Sequence, residues 1–342
     1  MKDIIPARKA PVTVMLFRFI KAYVKSMRLY YAFLTGIAGW TGVSFYLFTT
    51  ERLHYAGQIA PSPFKTGLIL FFLFCVWGIN QIINDYLGLP EDRINAPERP
   101  MVTGELDAKA ALAVSIALLC IVALVTWLYL QPLALIPMAV GLLLNVIYEY
   151  AKGYGIWGNI IFGVMISTCA MYGFLACGPY MPPLFTAQRV GVLILIALLN
   201  GIMTYFTYFK DYFGDKHVGK KTLVVKYGPE KARLIGILFS LLPTLAFGAL
   251  VLFGYFSPQS FSRTFWLLAT LSFALQAYTA WLYFRHYQGE KTYYSLKTNF
   301  RACVCGQATL IAMFQDTLGM ALFLVSYIFV GFLFDLSANS KA

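Results

Sequence analysis

Long apolar stretches alternate with short polar ones along the whole chain. Nine of them centre near residues 28–48, 65–86, 109–130, 132–150, 156–177, 190–209, 234–256, 264–286 and 308–334. Each reaches or approaches the ~20 apolar residues that span the hydrocarbon core of a bilayer. Lipid offers no partner to a bare backbone, so a spanning segment is a helix or a strand of a closed barrel. These runs are too long and too uniformly apolar for barrel strands, which alternate. The expected fold is therefore all-α: a polytopic membrane bundle of about nine transmembrane helices. It forms one domain over residues 1–342, with an N-terminal segment at 1–27 and a short tail at 336–342.

Composition agrees. Of the 342 residues, 59% are hydrophobic and 12% charged, against roughly 25% charged in soluble domains, so a soluble enzyme is excluded. No cleavable leader is expected, because no small-residue site follows a short apolar core after Lys2, Arg8 and Lys9. The six cysteines lie mostly in apolar runs and form no CxxC pair, so neither a disulfide scaffold nor a zinc site is expected. If nine spans alternate, all but five of the 27 Lys and Arg residues fall on one side; the five are Arg52, Lys65, Arg189, Arg263 and Lys341. The positive-inside rule then makes the N-terminus cytoplasmic and the C-terminus external, in a plasma (inner) membrane. The net charge of +12 is mostly this topology signal. It also suits anionic lipid headgroups, and no nucleic-acid recognition motif accompanies it.

Two polar stretches follow apolar runs on the basic side. The first is "NQIINDYLGLPEDRINAPERP", residues 80–100, and the second is "TYFKDYFGDKHVGKKTL", residues 207–223. Asp211 and Asp215 are four apart and share a helix face. Two carboxylate clusters on one cavity repel each other and are costly near lipid. A divalent cation offsets that cost, and oxygen-only ligands favour Mg²⁺ over Zn²⁺. Lys152, Lys210, Lys216, Lys220 and Lys221, with Arg93 and Arg99, stand near enough to hold a diphosphate. The chemistry suggested is an anionic head with an apolar tail. The bland alternative is ordinary capping and solvation at helix ends.

The two stretches together resemble the signatures of the UbiA superfamily of intramembrane prenyltransferases. The first signature, N-D-x-x-D-x-x-x-D followed by an "RINRPxRPxxSG"-like run, reads here "NDYLGLPEDRINAPERPMVTG". The second, D-x-x-x-D followed by a basic run, reads "DYFGDKHVGKKTL". Between them Tyr148 and Lys152 fit the family's Y-x-x-x-K in "YEYAK", and Gly158-Asn159 follow. The resemblance implies nine transmembrane helices and a Mg²⁺-dependent enzyme. Such an enzyme ionises a polyprenyl diphosphate and alkylates an acceptor: an aromatic compound, a quinone precursor or a lipid. On the matched positions it implies Asn84, Asp85 and Asp92 at a first metal site and Asp211 and Asp215 at a second. Tyr148, Lys152 and Lys210, with Arg93 nearby, would hold the diphosphate. Asp92, Asp211, Asp215 and Lys152 would carry the catalysis.

One departure bears on the chemistry. Gly88 stands where the first signature has its middle Asp, and Pro90 follows. The sequence therefore predicts that the helix ends near Tyr86 to Gly88, with Glu91 and Asp92 on a loop. Either Glu91 or Asp85 supplies the missing oxygen, or the first site binds metal weakly, or the chemistry is altered. The last option keeps a terpene cyclase of the same superfamily as the alternative to prenyl transfer. A transporter or lipid-binding protein without catalysis is the reading from a different class; the polar clusters at one face, rather than at the midplane, count against it. Asp316 lies within the ninth run and stands open as base, acceptor ligand or structural partner. Glu149 stands open between pairing with Lys152 and a solvated helix end.

Overall fold

The computed structural model describes residues 11–55 and 57–339. Lys2, Arg8, Lys9 and Lys341 lie outside the described residues. The described residues open with α1 (Val12–Met27), α2 (Ala32–Glu51) and α3 (Pro63–Leu87), followed by the short α4 (Leu89–Asn95) and α5 (Pro100–Thr103). Next come α6 (Ala108–Tyr129), α7 (Leu135–Ala151), α8 (Trp157–Cys177) and α9 (Ala187–Thr207). The second polar stretch holds α10 (Tyr212–His217) and α11 (Leu223–Tyr227), and α12 (Pro229–Leu252), α13 (Arg263–Arg285), α14 (Thr292–Ile311) and α15 (Asp316–Asn339) complete the bundle. Among the described residues, nine helices are long and apolar enough to cross a membrane: α2, α3, α6–α9, α12, α13 and α15.

α8 sits at the centre, packed against α2, α7 and α9. Small residues bring its backbone close to α2: a β-carbon on Gly42 would strike the Ala170 carbonyl, and one on Gly173 the Gly39 carbonyl. Such close backbone approach is how helices associate where lipid is as apolar as the side chains. The first helix, α1, packs Ala22 and Tyr23 against Ile82 and Ala111, and the Tyr23 hydroxyl meets Ser115 Oγ at 2.7 Å. Its other face exposes Leu16, Phe17 and Ile20.

Two expectations are corrected. The ninth apolar run straddles two antiparallel helices. α14 runs against α9, with Asn299 Nδ2 donating to the Met203 carbonyl at 2.8 Å and Cys303 Sγ 3.5 Å from Asn200 Oδ1. α15 then returns along α14, so that Lys297, near the start of α14, pairs at 3.0 Å with Asp335, near the end of α15. Phe334 also meets Tyr30, just before α2, with ring centroids 5.0 Å apart. α14 is thus a tenth full-length helix, about 30 Å at 1.5 Å per residue, and α15 ends on the same side of the bundle as α1. The described end of α15 thus lies on the side of α1, where nine alternating spans would put it on the other; the polar residues of α14 hide its length from a hydropathy reading.

The second correction concerns Glu91 and Asp92. They lie on α4, not on a loop. Hydrogen bonds from Gly88 N to Asn84 O (2.8 Å) and from Asp92 N to Gly88 O (3.0 Å) carry the helical path through the junction. Pro90 falls in the first turn of α4, where its missing N–H and fixed φ cost nothing.

Candidate active site

At the end of the bundle shared by α1 and the end of α15, three contacts draw the polar stretches together. The Gly214 N–H donates to Asn95 Oδ1 at 2.9 Å, joining α10 to α4. A β-carbon on Gly214 would collide with the Asn95 side chain, so glycine permits the approach. The two-residue strands β1 (Tyr154–Gly155) and β2 (Lys221–Thr222) pair in parallel and hold the α7–α8 turn beside the second stretch. Their contact continues in Lys221 N donating to Gly153 O at 3.2 Å. Lys152 is thereby set against Asp215, and Lys220 against Glu149.

The space between them is a polar chamber open to solvent, with about 680 Å³ of atom-free space, solvent included. Asn84, Asp85, Glu91, Asp92, Tyr148 and Lys152 line it, and so do Lys210 and Asp211. Asp215 stands just behind, fully buried, with Oδ1 2.8 Å from Lys152 Nζ. Lys210 Nζ lies 2.9 Å from Asp211 Oδ1. The two acidic stretches therefore converge, as their spacing and shared side implied.

Two expected site residues lie elsewhere. Arg93 is exposed on the outer face of α4 and does not line the chamber. Asp316 begins α15 at the opposite end of the bundle, where its carboxylate accepts from Ser262 Oγ at 2.5 Å. It is a helix-end acid paired across a loop, and not an acid in mid-membrane.

Asp85 has a different setting from the one its motif position suggested. Its Oδ1 accepts from Gln81 Nε2 at 2.8 Å and is held by Arg28 and, at 3.5 Å, by Arg99. Arg99 also grips Asp92. Asp85 thus anchors two arginines at the rim. Arg28 is the residue that sequence reasoning passed over. It sits just before α2 with φ +49°, a conformation uncommon for a residue with a side chain. Only its place among other topogenic charges was readable.

The electrostatics separate the carboxylates. Burial raises Asp92 above the usual carboxylate range, although Arg99 pulls the other way. Burial also raises Asp211, but Lys210 and Lys152 outweigh it and hold this carboxyl well below its ordinary value. Burial pushes Asp215 up to about 6, with Lys152 opposing and Asp211 adding to the rise. Lys152 is buried too, yet Asp215, Asp211 and Glu149 hold its proton more firmly than usual.

Among the described residues, no group of three or more His, Cys, Asp or Glu side chains is arranged to hold a metal ion. Mg²⁺ does not require one, since it usually takes one or two carboxylates and completes its shell with water and phosphate. The chamber fits that pattern. Asn84 Oδ1 and Asp215 Oδ2 are buried without hydrogen-bond partners. The ammonium groups of Lys152 and Lys220 rest against Asp215 and Glu91, where a cation relieves the charge.

Trp77 lines both this chamber and a second, apolar cavity walled by α2, α3, α6, α7 and α8. That cavity runs past Asn80 and Met165 to Tyr172, whose hydroxyl meets Thr126 Oγ1 at 2.7 Å. A polar site and an apolar slot thus meet at Trp77.

The model of the UbiA prenyltransferase family matches residues 43–304, more than three-quarters of the chain. The chain belongs to the UbiA prenyltransferase family. Digeranylgeranylglyceryl phosphate synthase from Thermococcus sibiricus is 29% identical over 231 residues, which is 66% of this chain and 76% of that one. The corresponding synthase of Methanosarcina mazei is 27% identical over 233 residues, 66% of this chain and 78% of that one. A solved UbiA homologue from Archaeoglobus fulgidus, bound to DMAPP and Mg²⁺, superposes with a TM-score of 0.62 at 18% identity, covering 89% of this chain and 99% of the other. At that identity the likeness shows the UbiA fold. The family match ends at residue 304, and α15 lies beyond it.

Proposed function

We propose that this integral membrane protein is a Mg²⁺-dependent prenyltransferase. It moves a prenyl group from an allylic prenyl diphosphate to an acceptor and releases diphosphate. The observation that carries this reading is the meeting, at Trp77, of a chamber holding both acidic stretches and an apolar cavity beside it. The names of the relatives favour a glycerol phosphate lipid as acceptor. The basic loops around the site favour a chamber open to the cytoplasm, in the plasma membrane.

Mg²⁺, when bound, neutralises charge on the departing diphosphate. Asn84 and Asp92 would hold it on one side, and Asp211 and Asp215 on the other. Lys152, Lys210 and the rim arginines Arg28 and Arg99 draw the diphosphate into the chamber and stabilise its growing charge. Beneath them Tyr31 and Trp77 stack with ring centroids 5.1 Å apart, and Phe162 meets Trp77 edge-on at 5.6 Å. All three rings line the chamber, where they would face an allylic cation. Each is worth about 0.5–2 kcal/mol to a cation above it. Tyr148 packs on Phe162 at 5.3 Å and also lines the chamber, with its hydroxyl 3.5 Å from that of Tyr208. The slot then holds the tail away from water.

The test is purified protein with Mg²⁺ and C10 to C20 prenyl diphosphates, with and without glycerol phosphate lipids, read by mass spectrometry. A prenylated lipid that forms only with acceptor and Mg²⁺ supports the reading. A hydrocarbon or alcohol formed without acceptor would instead make the protein a cyclase.

A further inference from the structure

Asn84, Gly88 and Asp92 are spaced four apart, and all three line the chamber. They form one stripe across the α3–α4 junction, and its middle position has no side chain. The space there is filled from the flanks. A β-carbon on Gly88 would lie 4.0 Å from Oε2 of Glu91 and 4.0 Å from Oε2 of Glu149. Glu91 comes from α4, and Glu149 from α7. The two carboxylates share one ammonium: Lys220 Nζ is 3.2 Å from Glu149 Oε2 and in direct contact with Glu91 Oε1.

Two poorly solvated carboxylates at this spacing need a cation between them. Lys220 provides one, from a stretch that β1 and β2 pin to the α7–α8 turn. On the same stripe, Asn84 Oδ1 is buried and has no partner. An unpaired amide oxygen on the stripe, together with two carboxylates at its middle position that hold an ammonium, matches the oxygen-only donor set of a hard divalent cation.

We propose that Glu149 and Glu91 complete the divalent-cation site on the Asn84–Asp92 side, supplying from α7 and α4 the carboxylate that position 88 lacks. Lys220 holds the place until the cation enters with diphosphate. The inference rests on the metal-dependent reading above and names further residues of that same site. Once displaced, Lys220 stays in the chamber and turns its ammonium to a phosphate oxygen.

The experiment titrates detergent-purified full-length protein with Mn²⁺ as the probe ion. Free Mn²⁺ is read by electron paramagnetic resonance, with and without inorganic pyrophosphate. Glu149→Gln is expected to weaken Mn²⁺ binding by at least the roughly 10–100-fold that even outer-shell partners carry. Adding Gly88→Asp to Glu149→Gln is expected to restore most of that loss, because the new carboxylate enters the vacated space. Lys220→Met is expected to bind Mn²⁺ more tightly than wild type without pyrophosphate, since the competing ammonium is gone. A misfolded protein cannot give that gain.

If wild type binds no Mn²⁺ even with pyrophosphate, the metal-dependent reading itself falls. If wild type binds and Asp92→Ala abolishes binding, while Glu149→Gln matches wild type, this inference alone falls. A loss in Glu149→Gln that Gly88→Asp does not repair also overturns it, because a purely structural Glu149 behaves that way. Should Glu149→Gln fail to fold, Lys220→Met decides: tighter binding supports the proposal, and unchanged or weaker binding ends it.

Discussion

Lys152 Nζ lies 2.8 Å from Asp215 Oδ1, and the Asp215 side chain is fully buried. The contact joins the end of α7 to α10 across the chamber wall. Removing only the lysine strands a carboxylate without water, which typically costs about 3–5 kcal/mol. Lys152→Ala is therefore expected to lower stability by that order, read as the thermal unfolding midpoint in detergent. Lys152→Met combined with Asp215→Asn removes both charges and is expected to recover much of the loss. If the single and double variants melt together, the pair has no structural role.

The chamber carboxylates should separate cleanly from the acid at the other end. Asp92→Ala and Asp211→Ala are each expected to reduce diphosphate release by about 10²–10³-fold, the scale of losing one charge-stabilising element in an active site. Asp316→Ala is expected to leave release close to wild type, because Asp316 faces Ser262 at the far end of the bundle. Diphosphate release from a C20 substrate, with folding checked by gel filtration, measures all three. Equal losses at Asp316 and Asp92 would argue that the chamber is not where chemistry occurs.

The contrast between these positions shows what the sequence made legible. Asn84, Asp92, Asp211 and Asp215 stand at spacings that a helix converts into shared faces, and the apolar runs before them fix the end of the bundle they occupy. The bridge from Glu91 through Lys220 to Glu149 was not legible. It joins α4, α7 and the second stretch, and only the β1–β2 pairing sets that register. Arg28 was hidden for another reason: a basic residue before a first span carries the same local signal whether it anchors Asp85 or only sets topology. Arg93, read as a head-group ligand, points outward because α4 is helical and turns Asp92 inward in its place.

The apolar slot predicts a limit on tail length. Cys169 lines it beside Met138 and Tyr172. Cys169→Trp fills the slot and obstructs longer tails more than shorter ones. Each methylene denied its contact is worth ~1–3 kcal/mol, or 10–200-fold in kcat/KM. The ratio of kcat/KM for C20 over C10 diphosphate is therefore expected to fall at least tenfold. An unchanged ratio would mean that the tail leaves the chamber by another route.

A tenth crossing, by α14, is the sharpest prediction about the fold. α14 does not read as a span because Ser295, Asn299, Gln307 and Thr309 lie along it, yet all four are buried. Their partners are inside the protein: Asn299 donates to Met203 O, Gln307 Nε2 to Asn200 Oδ1 at 3.2 Å, and Thr309 Oγ1 meets Ser272 Oγ at 2.7 Å. A helix enclosed by other helices needs no apolar surface of its own to cross a membrane, and on that ground we expect α14 to cross beside the nine apolar helices. With α14 crossing, α15 must return, and its end packs on Tyr30 and Tyr293. A compartment reporter fused after α15 is expected to report the same side as one inserted in the Lys216–Lys221 loop. A reporter between Ser257 and Ser262 is expected to report the opposite side. A chain that crosses nine times would place the first two on opposite sides, and that outcome would remove α14 from the membrane and α15 from the wall beside the site.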